Sequence, residues 1–159
     1  MSESAIQLLD SALFDTLVKR ALASPRLRTN HNFHASLDED LHRFLNVMGR
    51  GTYVTPHRHV DPPKPEAFVV LAGEIAFFTF DDDGRIATRH KLGRDPVGID
   101  VAAGVWHSMA VLSPHAICYE VKPGPYAAAN DKTFAPWAPR EGDPRAAEYL
   151  EWLTSQAEG

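Results

Sequence analysis

The feature that most constrains the fold is the stretch from Thr52 to Lys122, where short apolar runs alternate with turn residues. The runs are rich in valine, isoleucine, phenylalanine and tyrosine, and no helical pattern separates them. Such residues favour strands, and closely spaced strands without intervening helices pair in antiparallel sheets. The stretch therefore predicts a β-sandwich or a small barrel. It also predicts one hairpin, because Asp82-Asp83-Gly84 joins the runs EIAFFTFD and RIATRHKL.

The segment before this stretch has helical patterns. Apolar residues recur every three or four positions over 4–23, which predicts an amphipathic helix. Residues 26–34 show no clear period and predict an irregular linker, which is either a solvated surface or a segment folded over an open pocket. Ser36 and Glu39 have the spacing of a capping box, so we expect a second helix from there to Met48.

The segment after the β-rich stretch is loop-like at first and then helical. Phe134 and Trp137 are expected to pack against the barrel wall, and residues 144–156 predict a C-terminal helix with proline at its first position. At 159 residues the chain suits one domain with its own core. We expect three parts: a helical leader over 1–50, a β-barrel over 51–126, and a C-terminal loop and helix over 127–159.

Composition excludes several classes of partner. The net charge of -5 disfavours nucleic acid and anionic membranes, which require a basic surface. The single cysteine, Cys118, forms no intramolecular disulfide and is expected to be buried. The sequence has no apolar run near the ~20 residues that span a bilayer, and its first residues lack the pattern of a signal peptide. We therefore expect a cytoplasmic protein.

Four residues have the chemistry and spacing of metal ligands. His57 and His59 lie on the same side of a strand, about 7 Å apart at a rise of roughly 3.3 Å per residue. Glu66 and His107 supply a carboxylate and a third imidazole. Three histidines and a carboxylate suit one divalent ion of iron, nickel, manganese or zinc, so the metal stays open. The alternative is a solvated strand face, with Glu66 a surface carboxylate beside Lys64.

The spacing of these residues resembles the first motif of the cupin superfamily. Gly51 is followed by five residues and then by His57 and His59, and Glu66 is followed by six residues and Gly73. The gap between His59 and Glu66 is six residues, VDPPKP, where the cupin motif usually has three or four.

The second cupin motif is matched in part. Gly104 and His107 stand at its glycine and histidine positions, while Ala102 and Val111 replace its usual proline and asparagine. The two motifs together identify a cupin. The resemblance implies a mainly β, single-domain jelly-roll barrel, here with N-terminal helices and a C-terminal helix.

Four further segments are similar to the WbuC family of bacterial cupin-fold metalloproteins: TYVTPHRH, Pro63-Lys64-Pro65-Glu66, EVKPGPY and KTFAPWAP. WbuC proteins are often encoded with genes for polysaccharide (O-antigen) biosynthesis. The resemblance implies a bound metal and a sugar or sugar nucleotide as ligand, and jelly rolls of this kind commonly form homodimers. Two functions remain open: an enzyme, either an isomerase or epimerase or an oxygenase, and a non-catalytic sugar-binding or regulatory module. A purely structural metal is a third.

Candidates for contact with a substrate follow from strand alternation and position. Tyr53 shares the side of the two histidines, and Phe68 shares the side of Glu66. Lys64 lies in the loop before Glu66, where it could hold an anionic ligand or pair with Glu66 or Asp61. His34 is a candidate because the leader could fold over the barrel mouth.

The strand-like run AICYEVK presents two different faces. Ile117, Tyr119 and Val121 form the apolar face, which we expect to be the buried one. If the barrel interior is polar instead, Glu120 and Lys122 would line it.

Replacing both His57 and His59 by alanine should abolish metal binding, because the site would lose half of its ligands. Elemental analysis of the purified variant measures this, with His90→Ala as a control outside the motif. Stoichiometric metal retained in the double variant would contradict the predicted site.

Overall fold

Ten strands and two α-helices make up residues 5–158, the part of the chain that the computed structural model describes. In chain order they are α1 (Ser11–Ala23), β1 (Arg28–Asn32), β2 (Leu41–Gly49), β3 (His57–Arg58), β4 (Glu66–Ala72), β5 (Ile75–Phe80), β6 (Ile86–Leu92), β7 (Gly98–Val101), β8 (Trp106–Val111), β9 (His115–Pro123), β10 (Thr133–Phe134) and α2 (Ala146–Ser155), followed by a 3-10 turn, Gln156–Glu158. Residues 1–4, which the predicted leader includes, and Gly159 lie outside the described part.

The strands form two five-stranded antiparallel sheets. One sheet has the order β1-β2-β9-β4-β7, and the other has the order β10-β3-β8-β5-β6. Apolar side chains from both sheets meet between them, among them Met48, Phe68, Phe77 and Met109. The buried free thiol of Cys118 belongs to the same core, as expected. The predicted mainly β jelly roll is confirmed.

The predicted hairpin is present between β5 and β6. The carboxylate of Asp81 accepts hydrogen bonds from the backbone N–H groups of Asp83 and Arg85, which closes the turn. Gly84 has a positive φ of 84°, a conformation that a glycine adopts without steric cost. A side chain there would also collide with the ring of Trp137.

The predicted second helix is wrong, because residues 41–49 form β2, between β1 and β9. Both faces of β2 are covered: Leu45 and Val47 pack against α1, while Phe44 and Met48 face the interior. A strand buried on both faces places apolar residues at neighbouring positions, and this spacing imitates a helical stripe. The capping-box residues form a turn instead, in which the Glu39 carboxylate accepts from the backbone N–H of Ala35.

The rest of the leader also differs from expectation. The segment predicted as an irregular linker contains β1, which pairs with β2 along its whole length. Helix α1 begins at Ser11 rather than near residue 4, because the Asp10 carboxylate accepts from the backbone N–H of Leu13 and caps the helix there. The predicted helical stripe is buried only in its second half, at Leu17 and Ala21.

The C-terminal helix is confirmed, with its first turn two residues later than predicted. Ala146 and Leu153 are its buried residues, and Leu153 packs against the second sheet. The ring of Trp137 packs on Phe80 and Trp106, as expected for an anchor on the barrel wall. Within residues 5–158, no helix is long and apolar enough to cross a membrane.

Replacing Leu17 by alanine should lower the free energy of unfolding by about 2–5 kcal/mol, because this side chain is buried between α1 and the sheet. Leu8→Ala makes the same change at a position that is 69% exposed and should shift it by less than about 0.5 kcal/mol. Chemical denaturation of both variants measures the difference. Equal effects would contradict the docking of α1 as a part of the folded core.

Candidate metal centre

The four predicted ligands meet at one point between the sheets. Ligand atoms of His57, His59, Glu66 and His107 all lie within 4.8 Å of one another. Each of the four residues is at most 5% exposed, so the alternative of a solvated strand face is wrong. Four nitrogen and oxygen donors converging in a buried site form a group that could hold a metal ion.

Strand pairing brings these residues together. β3 and β8 are antiparallel neighbours, and His57 stands directly opposite His107. Glu66 is the first residue of β4 in the facing sheet. The long gap of six residues forms a loop closed by a bridge between Val60 and Pro63, and it leaves the Glu66 carboxylate beside the histidines.

Backbone carbonyls hold the three imidazole rings in place. The Nδ1 atoms of His57 and His107 lie 2.9 Å from the carbonyls of Thr55 and Val105, each two residues earlier in the chain. The Nδ1 of His59 bonds to the carbonyl of Asp131. A ring that donates from Nδ1 presents the lone pair of Nε2, which is the form that binds metals.

The inner atoms of the cluster lack protein partners that suit this form. Nε2 of His59 lies 3.1 Å from one oxygen of Glu66, and Nε2 of His107 lies 3.0 Å from the other. All of these atoms are acceptors when the rings are neutral and the carboxylate is ionised, so a cation between them satisfies them together. The donor set and its buried acceptors therefore fit a divalent metal.

The surroundings favour the ionised form of Glu66 and the neutral form of His57. Burial alone would raise the pKa of Glu66, but the ring nitrogens of His107 and His59 beside its two oxygens outweigh it and hold that pKa below the ordinary value. Burial and the neighbouring His107 lower the pKa of His57 well below its usual value. Both directions suit metal binding, which requires deprotonated ligands.

The cluster opens into a cavity of about 630 Å³ between the sheets, a volume within the range of small-molecule sites. Its wall is mostly polar and includes Asn46, Glu120, Lys122 and Lys132. Two predicted substrate-binding residues, His34 and Phe68, also line it.

The other two predicted substrate contacts lie elsewhere. The buried hydroxyl of Tyr53 donates to the carbonyl of Pro139, on the side of the C-terminal helix, so Tyr53 is absent from the cavity wall. Lys64 is also buried and outside the wall. Its ammonium group donates to the carbonyl of Pro125 and pairs with Asp131, which fastens the loop that holds the His59 ring.

The expectation that the apolar face of β9 is the buried one is wrong for the barrel interior, where the charged face lies instead. Ile117 is buried, but against α1 on the outside of the sheet. Glu120 and Lys122 face the interior, at 5% and 8% exposed. The alternation of apolar and charged residues shows in the sequence that β9 has two different faces. Which of them lies inside is decided by α1, which packs against the apolar face.

An ion-pair network surrounds the inward face of β9. Lys122 lies 3.4 Å from Asp131 and 3.8 Å from Glu66. Burial would lower the pKa of Lys122, but the charges of Glu120, Glu66 and Asp131 raise it. Burial and the charge of Glu66 raise the pKa of Glu120 to about 7. No pattern in the sequence pointed to Asp131.

Replacing Glu66 by glutamine should weaken metal binding by at least about tenfold, because the amide keeps the shape but removes the anionic donor. Glu120→Gln makes the same change to a buried carboxyl group of the same cavity that lies outside the cluster, and it should change metal affinity little. Competition with a chelator measures both. Equal losses in the two variants would contradict Glu66 as a ligand.

Solved structures with the same fold include three proteins of low sequence identity. CapF, a capsular polysaccharide assembling protein from Staphylococcus aureus, has a TM-score of 0.57 and 17% identity over 70% of this chain and 32% of its own. KdgF from Halomonas sp. has a TM-score of 0.51 and 17% identity, with 67% and 86% covered. The DMSP lyase DddQ from Ruegeria pomeroyi DSS-3 has a TM-score of 0.51 and 17% identity, with 67% and 51% covered.

These neighbours are cupin-fold proteins, and with the two antiparallel sheets they show that this chain has the expected cupin jelly roll. At this identity the likeness extends to the fold. The chain spans about a third of the length of CapF and about half of that of DddQ.

Sequence comparison gives one family. No curated protein matches the sequence. A family model described as "Domain of unknown function (DUF6016)" matches residues 9–92, more than half of the chain. The matched segment includes α1, the strands β1 to β6 and three of the four clustered residues. The chain therefore belongs to the DUF6016 family.

Proposed function

We propose that the protein binds one divalent transition-metal ion through His57, His59, Glu66 and His107 and is a metal-dependent enzyme that acts on a sugar or sugar nucleotide. The observation that carries the proposal is the convergence of four buried ligand atoms, three of whose residues line a polar cavity. Buried polar atoms without suitable partners are costly, so a fold retains such a group when a ligand satisfies it.

The donor set suits iron, nickel, manganese or zinc. A bound ion would supply Lewis-acid chemistry, by polarising a carbonyl or hydroxyl oxygen or by activating water or oxygen. The residues of the chain would hold it: three imidazoles through Nε2, and Glu66 through its carboxylate. Isomerisation or epimerisation and oxygenation both remain compatible with this set.

The cavity supplies a candidate for proton transfer. Tyr53, which the sequence placed on the side of the two histidines, has its hydroxyl committed to Pro139. Glu120 faces the cavity, and its pKa of about 7 lets its carboxyl group hold or release a proton near neutral pH. Lys122, beside it, would stabilise negative charge on a substrate oxygen.

The similarity to WbuC proteins supports a role in bacterial surface polysaccharide (O-antigen) biosynthesis. CapF, whose name places it in capsular polysaccharide assembly, shares the fold and is compatible with this assignment. We also propose that the protein is cytoplasmic and forms a homodimer.

A second candidate function is a metal-containing module that binds a sugar without converting it. Lys122 favours this candidate. Its ammonium group forms ion pairs with Asp131 and Glu66, which fix it in a position to recognise a ligand. The two functions differ in whether a product forms.

A panel of nucleotide sugars, incubated with protein reconstituted with each of the four metals, should give turnover of at least one member. Chelation or His107→Ala should abolish that turnover. Glu120→Gln should lower kcat by about 100-fold and change KM little, as expected for loss of an acid–base group. Chromatography of the reactions measures product.

Tight binding without product would contradict the enzyme and support the binding module. Neither binding nor product, in protein that holds stoichiometric metal, would contradict both.

A further inference from the structure

The cavity wall formed by the β1–β2 end of the sheet holds two buried polar atoms that have no hydrogen-bond partner among residues 5–158. They are Nε2 of His34 and Oδ1 of Asn46. Both residues line the cavity, and His34 is only 6% exposed. Neither belongs to the metal cluster. Buried polar atoms are normally paired, so two unpaired atoms on one wall point to a ligand that pairs them.

Backbone pairing decides which nitrogen of His34 carries the proton. Nδ1 lies 3.1 Å from both the N–H and the carbonyl of Arg43. The carbonyl already accepts from the N–H of Phe33 at 2.8 Å. The N–H of Arg43 points to the same edge of β2 as that carbonyl, away from β9, and Nδ1 is the acceptor it meets there. Buried backbone N–H groups are almost always paired, so Nδ1 accepts and the neutral ring carries its proton on Nε2.

The neighbouring ring of His42 fixes the orientation of this donor. The two imidazoles are stacked, with centroids 4.1 Å apart and planes 7° apart. His42 Nε2 lies 3.0 Å from the carbonyl of Leu37, to which it donates. His34 Nε2–H is thus a donor whose direction is set before any ligand arrives.

The second unpaired atom is a fixed acceptor. Asn46 donates from Nδ2 to the carboxylate of Glu120 at 3.3 Å, which orients the amide and leaves Oδ1 without a partner. Asn46 lies on β2 and Glu66 on β4, with β9 between them. The register places Asn46 opposite Cys118 and Cys118 opposite Val70, so Asn46 stands two strands across and four residues along from Glu66. With about 4.8 Å between strands and 3.3 Å per residue, their backbones are about 16 Å apart. The side chains come closer, because Asn46 reaches Glu120, and Lys122 on the same face of β9 lies 3.8 Å from Glu66.

We propose that His34 and Asn46 form a subsite for the hydroxyl groups of a polyhydroxylated ligand of monosaccharide size, whose other end reaches the metal cluster. The proposal rests on the proposed function for the metal end. A hydroxyl group both accepts and donates, so one hydroxyl of such a ligand can accept from His34 Nε2–H while another donates to Asn46 Oδ1. Glu120 and Lys122, which lie between the two ends, offer an acceptor and a donor to the intervening hydroxyls.

The first test is the tautomer of His34, which needs neither metal nor ligand. Long-range ¹H–¹⁵N spectra of histidine-labelled protein should show His34 protonated on Nε2, with His34→Asn assigning the signals. Protonation on Nδ1 would overturn the proposal.

The second test compares two probes on Mn²⁺-loaded protein by titration calorimetry. D-gluconate and glycolate share an α-hydroxycarboxylate that chelates metals, but only gluconate has the further hydroxyls that could reach the wall. Gluconate should bind more tightly. His34→Asn removes the Nε2–H donor, while its amide oxygen can still accept from the Arg43 N–H. It should weaken gluconate by about 3- to 10-fold, the loss expected for one hydrogen bond, and leave glycolate unchanged.

His31→Asn is the matched control, because it makes the same change on β1 to a ring outside the cavity wall. Equal affinities of the two probes, or equal losses of both in His34→Asn, would overturn the subsite. Protein that binds no Mn²⁺ would contradict the proposed function instead. In that case the subsite is tested by adding gluconate to the metal-free protein, which should shift the NMR signals of His34. An absence of shifts would overturn the subsite.

Discussion

The metal cluster depends on one constraint: three imidazoles and a carboxylate are buried together between two sheets. Each ring is fixed by a bond from Nδ1 to a backbone carbonyl, so the orientation of the ligand atoms is a property of the backbone. Two of these carbonyls lie two residues before their histidines, in the segments that lead into β3 and β8. The third belongs to Asp131, far away in the chain. The orientation of the His59 ring therefore depends on the loop after β9 as well as on the strands.

Asp131 connects this loop to the charges of the cavity. Its carbonyl receives the His59 ring, and its carboxylate faces the ammonium groups of Lys64 and Lys122. Each buried charge thus has an opposite charge nearby, which offsets part of the large cost of removing it from water. Lys64 contacts Asp131, whose carbonyl meets the His59 ring, whereas the sequence left open contact with an anionic ligand or an ion pair with Glu66 or Asp61.

The sequence predicted most of the β-rich region correctly, but its prediction of a linker and a second helix before that region was wrong. Side-chain alternation identifies a strand when one face is polar, as in β9. In β2 both faces are buried, one by α1 and one by the opposite sheet, so the pattern lost its period of two. The turn formed by Ser36 and Glu39 uses hydrogen bonds of the kind that start a helix, but the residues after it pair with β1 and β9 instead.

The sequence by itself singled out the four clustered residues: strand alternation put His57 and His59 on one side, and the resemblance to the cupin motifs added Glu66 and His107. Only the tertiary structure decided what surrounds them. It placed Glu120 and Lys122 inside by covering the opposite face of β9 with α1, and it brought Asp131, His34 and Asn46 to the same cavity. Periodicity reports which side chains share a face, whereas contacts between distant segments decide what that face meets.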